Sequence, residues 1–206
     1  MNVYFVGHGE SQGNFAGIHQ DGTTQLSEYG LKQAETVARR FKRISVDVIF
    51  SSDFIRAAKT AEMISRIVQK KIVHLPILRE MKRPTEIEGK HHKAPETMSI
   101  KKILEEHSED PSWHFSDEEN IYDFRKRALD FIDFLSKQQH KNIVVVSHGL
   151  FIRMIVAVMM IGSDAPIDEY HKIFRFLKHK NTGITLCRRD KDHWSLVTWN
   201  DHAHLG

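Results

Sequence analysis

The stretch from 142 to 150 reads NIVVVSHGL and indicates the fold class more clearly than any other part of the chain. Ile143–Val146 is an unbroken β-branched run, which is typical of a strand buried on both faces of a sheet. The polar residues Ser147 and His148 follow it directly, and an apolar helical pattern begins after Gly149. The sequence therefore predicts a buried strand that ends in a histidine-bearing turn and continues into a helix.

Two other segments repeat this order of buried strand, polar turn and helix. Val3–Val6 is apolar and leads into the turn Gly7-His8-Gly9. Val46–Phe50 is equally apolar and leads into Ser51-Ser52-Asp53. Strands that alternate with helices favour a mostly parallel sheet with helices on both faces, which is a three-layer α/β sandwich.

The remaining elements follow less regular patterns. Ile72–Leu78 is predicted to be a short edge strand because Pro76 interrupts it, and residues 79–95 are predicted to form an irregular surface loop. From Phe174 the pattern predicts short strands, with Phe174 and Phe176 as alternating core residues. The predicted helices cover 28–41 with Ser27 as its cap, 54–68, 97–107, 118–139 and the segment after Gly149.

Length and composition suit one soluble α/β domain that covers residues 1–206. Hydrophobic residues make up 40% of the chain, which is enough for one sizeable core, and charged residues make up 28%. The formal net charge is +3 with neutral histidines. That charge is too small to indicate a nucleic-acid partner, but it modestly favours an anionic substrate.

Neither a targeting signal nor a membrane segment is predicted. Met1–Val6 is too short for the apolar region of a signal peptide and has no basic residues before it. The longest apolar run, Met154–Gly162, is roughly half of the ~20 residues that span a bilayer. Cys187 is the only cysteine, so an internal disulfide and a cysteine metal cluster are excluded, and we expect a small buried thiol. A cytoplasmic protein without a membrane partner is expected, and its oligomeric state stays open.

The ends of the three predicted buried strands carry the polar residues of most interest. In open α/β sheets, ligands bind beyond the carboxyl ends of the strands. His8 follows the first strand, Arg56 lies one helical turn after the second, and His148 follows the third. A neutral imidazole is nucleophilic, and a guanidinium binds phosphate through two parallel hydrogen bonds. Each residue alone is more often structural, but the three together predict an anion site.

The glycines around His8 also invite two nucleotide-binding interpretations. A dinucleotide fingerprint starting at Gly7 requires a third glycine at position 12, where this chain has Gln12. A phosphate-binding P-loop requires Gly-Lys-Ser/Thr after four intervening residues, and that sequence is absent here. Both interpretations are therefore disfavoured. What the two glycines do allow is a close approach of the backbone to a ligand beside His8.

The motifs along the chain together resemble the histidine phosphatase superfamily, also called phosphoglycerate-mutase-like. The resemblance spans nearly the whole chain, and the motifs occur in the family's order. They are His8-Gly9-Glu10 with Asn14, Leu26–Gly30 with Gln33-Ala34, Ser51–Asp53, Arg56-Ala57, Thr60–Glu62, Leu78–Glu80, Glu88-Gly89, Ser147–Gly149, Asn181–Gly183 and Trp199–Asp201. A single motif of this kind is weak evidence, whereas the ordered set is strong.

The resemblance implies a role for each matching position. His8 would be the nucleophile that forms a phosphohistidine, and Glu80 would protonate the leaving oxygen and then activate water. Arg56, His148 and Asn14 would hold the phosphoryl oxygens, with His148 counted among the catalytic residues. The substrate would be a small phosphorylated molecule, and the family needs neither a metal nor an organic cofactor.

Two further points follow from the same resemblance. The backbone at Gly7 and Gly9 is expected to lie against the bound phosphate. The general acid is expected to be Glu80 because it directly follows the predicted edge strand. Glu86 and Glu88 remain alternatives because they lie on the same loop.

The chain departs from the family at position 7, where the family's motif has an arginine and this chain has Gly7. Losing one preorganised donor of this kind typically costs on the order of 3 kcal/mol. Three hypotheses therefore stay open at this point. The chain is a weakened phosphatase in which Lys82 or Arg83 offsets the missing arginine, a non-catalytic phosphate-binding protein on the same fold, or a phosphoglycerate mutase. The chain is short for a mutase, so we expect net hydrolysis.

Overall fold

Six strands form one sheet in the computed structural model, which describes residues 1–191 and 193–206. The strands are β1 (Asn2–Gly7), β2 (Val48–Ser51), β3 (Ile72–His74), β4 (Asn142–Ser147), β5 (Ile184–Asp190) and β6 (His193–Asp201). Their order across the sheet is β3-β2-β4-β1-β5-β6. Strands β1 to β4 pair in parallel, whereas β5 is antiparallel to both β1 and β6. The predicted mostly parallel sheet is confirmed.

Helices cover both faces of this sheet. They are α1 (Gln12–Ala16), α2 (Glu28–Arg40), α3 (Ile55–Val68), α4 (Pro95–Glu106), α5 (Ile121–Ser136), α6 (Gly149–Ile161) and α7 (Ile167–Phe176). Short 3₁₀ helices cover Phe41–Arg43, Pro76–Leu78, Thr85–Ile87 and Ala203–Leu205. Ser27 caps α2 as predicted, because its hydroxyl accepts a hydrogen bond from the Gly30 N–H at 2.9 Å.

The hydrophobic core has two parts, one on each face, because successive strand residues point to opposite sides. On β4, Ile143 and Val145 pack into the cluster that contains the apolar residues of α5 and α6. Val144 and Val146 pack into the cluster that contains those of α2 and α3. All four side chains are fully buried. A strand covered on both faces explains the unbroken apolar run, and the three-layer α/β arrangement is confirmed.

The predicted strands at the C-terminal end are confirmed by β5 and β6, but their predicted start at Phe174 was wrong. Phe174 and Phe176 lie in α7, and Phe176 is 85% exposed. Two aromatic residues two apart are too short a pattern to separate a strand from a helix. The helix begins after Pro166 with Asp168 and Glu169 in its first turn, which is a favourable arrangement for a helix start. The alternation of Phe174 and Phe176 drew attention away from this signal.

Two smaller differences concern the predicted edge strand and loop. Strand β3 is at the sheet edge as expected but ends at His74, and Pro76 begins a 3₁₀ turn. The loop that follows is irregular apart from one short 3₁₀ turn at Thr85–Ile87. Within residues 1–191 and 193–206, the structure contains no helix that combines the length and apolar character required to cross a bilayer. Cys187 is buried as expected, and burial raises the pKa of its thiol to about 12.

Candidate active site

The register of the parallel strands brings three polar turns together at one edge of the sheet. Gly7 at the end of β1 lies opposite Ser147 on β4, and Ser51 on β2 lies opposite Val146. The residues that follow are therefore neighbours, and the rings of His8 and His148 lie edge to face with centroids 5.1 Å apart. The predicted meeting of the strand ends is a direct consequence of this register.

A cavity of about 310 Å³ opens at this edge of the sheet. Five of the seven predicted site residues line it: Gly7, His8, Asn14, Arg56 and Glu80. The other two, Gly9 and His148, contact His8 but do not line the cavity. The volume is at the lower end of the roughly 300–1,000 Å³ that is usual for small-molecule sites.

His8 is held in one tautomer by its own loop. Its Nδ1 lies 2.6 Å from the carbonyl oxygen of Gly9. A carbonyl oxygen only accepts hydrogen bonds, so Nδ1 carries the proton and Nε2 keeps its lone pair. Burial, together with the nearby positive charge of Arg56, lowers the pKa of His8 to about 3. His8 is therefore an uncharged imidazole at neutral pH with a free Nε2.

Gly9 has a different role from the one predicted. Its N–H donates to the Thr60 hydroxyl at 3.1 Å, and its carbonyl accepts from His8, so both of its backbone polar groups are occupied within the protein. A Cβ at this position would overlap the carbonyl oxygen of Gly30. Gly9 thus allows close packing of the loop against α2 and orients the His8 ring, whereas the sequence suggested a backbone contact with phosphate.

Arg56 is 2% exposed and lies at the start of α3. Its Nη1 donates to the carbonyl of Asp21 at 2.6 Å, and its guanidinium carbon lies 5.1 Å from the centre of the Phe54 ring. Its Nε is buried without a hydrogen-bond partner in the described residues. A buried guanidinium with free N–H groups on a cavity wall is suited to binding an anion.

Asn14 presents its amide to the cavity from α1. Its Oδ1 accepts from the Ser11 N–H at 3.2 Å and from Asn181 at 3.3 Å. Because its oxygen is occupied, its NH₂ group is the one available to a ligand oxygen. Asn181 also donates to the His8 carbonyl at 3.0 Å. It therefore links the loop of His8 to Asn14, a positioning role that sequence reasoning did not assign to it.

His148 is fully buried between His8 and the ring of Phe54. Its Nε2 lies 2.9 Å from the Ser52 hydroxyl, and its Nδ1 has no hydrogen-bond partner among the residues described. Burial, followed by the proximity of the His8 ring and of the Arg56 guanidinium, lowers its pKa well below the ordinary value. His148 is therefore a neutral imidazole in direct contact with the ring of His8.

Glu80 is fixed at the N-terminus of α6. Its Oε1 accepts from the N–H groups of Met81 at 3.0 Å and Phe151 at 3.1 Å, and its Oε2 accepts from Leu150 at 3.0 Å. These bonds hold the carboxyl group on the same cavity wall as His8. The alternatives Glu86 and Glu88 are exposed and lie outside the cavity lining, so the geometry favours Glu80.

Arg127, on α5, fastens the loop that carries Glu80. Its Nη1 donates to the carbonyls of Ile77 at 2.8 Å and Arg79 at 2.7 Å. Its Nε and Nη2 form a bidentate pair with Glu119, with both distances 2.6 Å. Sequence reasoning missed this residue, because an arginine in an amphipathic helix gives no sign of carbonyl partners about 50 positions away.

The two residues proposed to offset Gly7 point in different directions. Lys82 is exposed and forms an ion pair with Asp117 at 2.9 Å, away from the cavity. Arg83 is half-buried on the cavity wall, and its guanidinium makes no hydrogen bond in the part of the chain that the structure describes. Arg83 is therefore the one of the two that faces a ligand.

The cavity has a strong excess of basic side chains. Besides His8, it is lined by Arg56, Arg83, Arg153, His19, His92 and His179, whereas Glu80 is its one carboxylate among the described residues. The three guanidinium groups carry positive charge at neutral pH, and such a cluster attracts an anion strongly in a site of low dielectric. No three His, Cys, Asp or Glu side chains of residues 1–191 and 193–206 are arranged to hold a metal ion.

The family follows from comparison with known proteins. The family model of the histidine phosphatase superfamily (branch 1) matches residues 3–202. The chain belongs to this family. A relative from Hydrogenobacter thermophilus, which bears the name "Putative phosphoserine phosphatase 2", is 32% identical over 98% of this chain and 96% of its own length. The metal-independent phosphoserine phosphatase of Arabidopsis thaliana is 27% identical over 98% of this chain and 82% of its own.

A solved structure agrees with this assignment. A phosphoserine phosphatase mutant from Entamoeba histolytica, in complex with phosphoserine, superposes with a TM-score of 0.76 at 27% identity. The match covers 99% of this chain and 98% of that one. The phosphoglycerate-mutase-like fold that the motifs implied is therefore confirmed over the length of the protein.

Proposed function

We propose that this protein hydrolyses small phosphate monoesters through a phosphohistidine formed on His8. The observation that carries the proposal is the hydrogen bond from His8 Nδ1 to the Gly9 carbonyl. It leaves Nε2 unprotonated inside a cavity that Arg56 makes positive. A histidine placed there only for packing would not need a fixed tautomer, a free ring nitrogen and a buried cation beside it.

The reaction would take place in two steps, in which Glu80 acts first as a general acid and then as a general base. In the first, the Nε2 lone pair of His8 forms a bond to phosphorus while the bond to the ester oxygen breaks. The Glu80 carboxyl group gives its proton to that leaving oxygen. In the second, water attacks phosphorus, Glu80 takes a proton from it, and the bond between phosphorus and Nε2 breaks. Inorganic phosphate leaves, and both residues return to their starting state.

Stabilisation of the transition state would come from the cavity wall and from the imidazole behind His8. Arg56 and the NH₂ group of Asn14 provide donors for the phosphoryl oxygens, and His148 provides a ring nitrogen without a protein partner. Preorganised donors of this kind act where the transferring phosphoryl group spreads its negative charge. Protein cations supply the charge in this proposal, so no metal ion takes part. The name of the Arabidopsis relative supports that point.

The substrate would be a small molecule because the cavity holds only about 310 Å³. Phosphoserine, which the named phosphatase relatives act on, is one candidate. Net hydrolysis is favoured over mutase activity, although some relatives bear the name "Probable phosphoglycerate mutase GpmB". The cavity is open to solvent at its mouth, so water can reach a phosphohistidine.

The test is hydrolysis of p-nitrophenyl phosphate by the wild-type protein, His8→Ala and Glu80→Gln, with and without a chelator. We expect wild-type activity that resists the chelator, no activity in His8→Ala, and a strong loss in Glu80→Gln. Equal rates for wild type and His8→Ala would overturn the proposal in favour of a non-catalytic phosphate-binding protein. Interconversion of 2- and 3-phosphoglycerate without phosphate release would overturn it in favour of a mutase.

A further inference from the structure

The ring of His179 occupies the space that a side chain at position 7 would need. Gly7 ends β1 immediately before the nucleophile, and both Gly7 and His179 line the cavity. A Cβ built on Gly7 would overlap Cε1 of His179 and lie 3.2 Å from each of its ring nitrogens. The imidazole of residue 179 and any side chain at residue 7 are therefore mutually exclusive in this arrangement.

Two hydrogen bonds fasten the chain ahead of His179, one in α7 and one in the segment that joins α7 to β5. Before it, Arg153 Nη1 donates to the Phe174 carbonyl at 2.9 Å. Next to it, the Trp199 indole N–H donates to the Lys178 carbonyl at 2.9 Å. The rings of Trp199 and His179 also lie edge to face with centroids 6.1 Å apart. The backbone before His179 is held by these contacts, and the ring lies over Gly7 with Trp199 beside it.

Neither ring nitrogen of His179 has a hydrogen-bond partner among the described residues, and Nε2 is buried. A buried polar atom without a partner is costly, and such atoms in native proteins usually have a functional explanation. Burial, followed by the nearby charge of Arg153, lowers the pKa of His179 to about 4, so the ring is neutral in the empty cavity. A neutral imidazole still has one N–H group that it can donate.

We propose that His179 binds an oxygen of the phosphoryl group transferred to His8, from the side of the cavity that Gly7 leaves open. The proposal rests on the proposed function and adds a phosphate-binding residue to it. In the family's motif, an arginine immediately before the nucleophile makes this anion contact. In this chain Gly7 stands at that position, and His179, from the segment before β5, makes the contact instead. The two residues 7 and 179 form one unit, in which the small residue makes room for the ring.

The first test measures kcat/KM for p-nitrophenyl phosphate and the affinity for inorganic phosphate by calorimetry. His179→Ala is expected to lower kcat/KM about 100-fold or more, since it removes one preorganised donor, and to weaken phosphate binding. His179→Asn keeps an N–H donor and is expected to recover part of the loss. His140→Ala, which removes an exposed histidine far from the cavity, is the matched control and should stay within about twofold of wild type.

The second test uses the steric conflict between a side chain at position 7 and the ring of His179. Gly7→Arg alone is expected to lower kcat/KM, because the new side chain collides with the ring of His179. The double variant Gly7→Arg with His179→Ala provides both a guanidinium and the space for it. It is expected to exceed each single variant by about tenfold or more, which is the strong coupling that contacting residues show.

The proposal is overturned if His179→Ala keeps wild-type phosphate affinity and kcat/KM, or if the two changes combine additively. Should His179→Ala fail to fold, the ¹⁵N signals of the His179 ring in the wild-type protein decide the question. A shift on adding inorganic phosphate supports the contact, and unchanged signals contradict it. If wild type and His8→Ala both fail to hydrolyse the ester, the proposed function fails, while phosphate calorimetry still tests His179 separately.

Discussion

Arg127 and Glu119 form a bidentate ion pair, with Nε and Nη2 of the arginine each 2.6 Å from a carboxylate oxygen. Both side chains are more than four-fifths buried. The rest of the same guanidinium binds the carbonyls of Ile77 and Arg79, which lie three positions and one position before Glu80. The position of the proposed general acid therefore depends on a residue of α5 that does not reach the cavity.

Replacing Arg127 should impair both stability and catalysis. Arg127→Ala leaves Glu119 without its partner, and breaking a buried pair costs about 3–5 kcal/mol of the free energy of unfolding. It also releases the Glu80 loop, so kcat should fall more than the affinity for phosphate. Lys126→Ala on the exposed side of α5 is the control and should cost less than about 1 kcal/mol. Denaturant unfolding and steady-state kinetics measure both effects, and a stable, fully active Arg127→Ala protein would contradict this role.

The proposed nucleophile should stay uncharged far into the acid range. Burial and Arg56 lower the pKa of His8 to about 3, so its ring should remain neutral at pH 5, where an ordinary histidine is protonated. A two-dimensional ¹H–¹⁵N NMR titration of the histidine rings checks this, with His8→Gln to assign the signals. A His8 signal that titrates near pH 6.5 would mean that the ring is neither buried nor close to Arg56.

Stability should decrease as the pH falls from about 6.5 toward 4. The pKa values of His8 and His179 are lowered to about 3 and about 4, so in this range the unfolded chain binds protons that the folded chain does not. The expected slope is at most about 1.4 kcal/mol per pH unit for each of these two histidines. Denaturant unfolding at pH 7 and pH 5 measures it, and His8→Gln should flatten the dependence. Equal stability at both pH values would argue against buried neutral histidines.

Arg83 and Lys82 provide a matched pair for testing which basic residue of the loop contacts the substrate. Arg83→Gln should raise KM for phosphate esters about tenfold, equivalent to ~1.4 kcal/mol, because its guanidinium faces the cavity without a hydrogen bond in the described chain. Lys82→Gln removes the same charge from an exposed ion pair with Asp117 and should change KM less than about twofold. Similar changes in KM for the two variants would mean that Arg83 acts only through the overall charge of the protein and does not contact the substrate.

The buried strands and most of the cavity-lining residues could be predicted from the sequence, because local patterns determine them. The apolar runs before His8 and His148 predicted buried strands. When such strands pair in parallel, their carboxyl ends lie at the same edge of the sheet. His8, Asn14, Arg56 and Glu80 line the cavity as expected. These features follow from rules that act over a few neighbouring residues.

The remainder depends on contacts between distant parts of the chain, which local pattern does not encode. Arg127 binds carbonyls 48 and 50 positions away, and His179 packs against Gly7 from the other end of the protein. The role of Gly9 was misjudged for the same reason, because Thr60 on another helix occupies its N–H. The missing arginine at position 7 could be noticed in the sequence, but the ring that fills its place could not.

The central claim is that His8 carries the phosphoryl group during turnover. The most direct test is intact-protein mass spectrometry after rapid mixing of the wild-type protein with a phosphate ester, together with acid treatment of a second sample. We predict a mass increase of one phosphoryl group that acid removes and that is absent from His8→Ala. Hydrolysis without any such adduct, or the same adduct on His8→Ala, would contradict the claim.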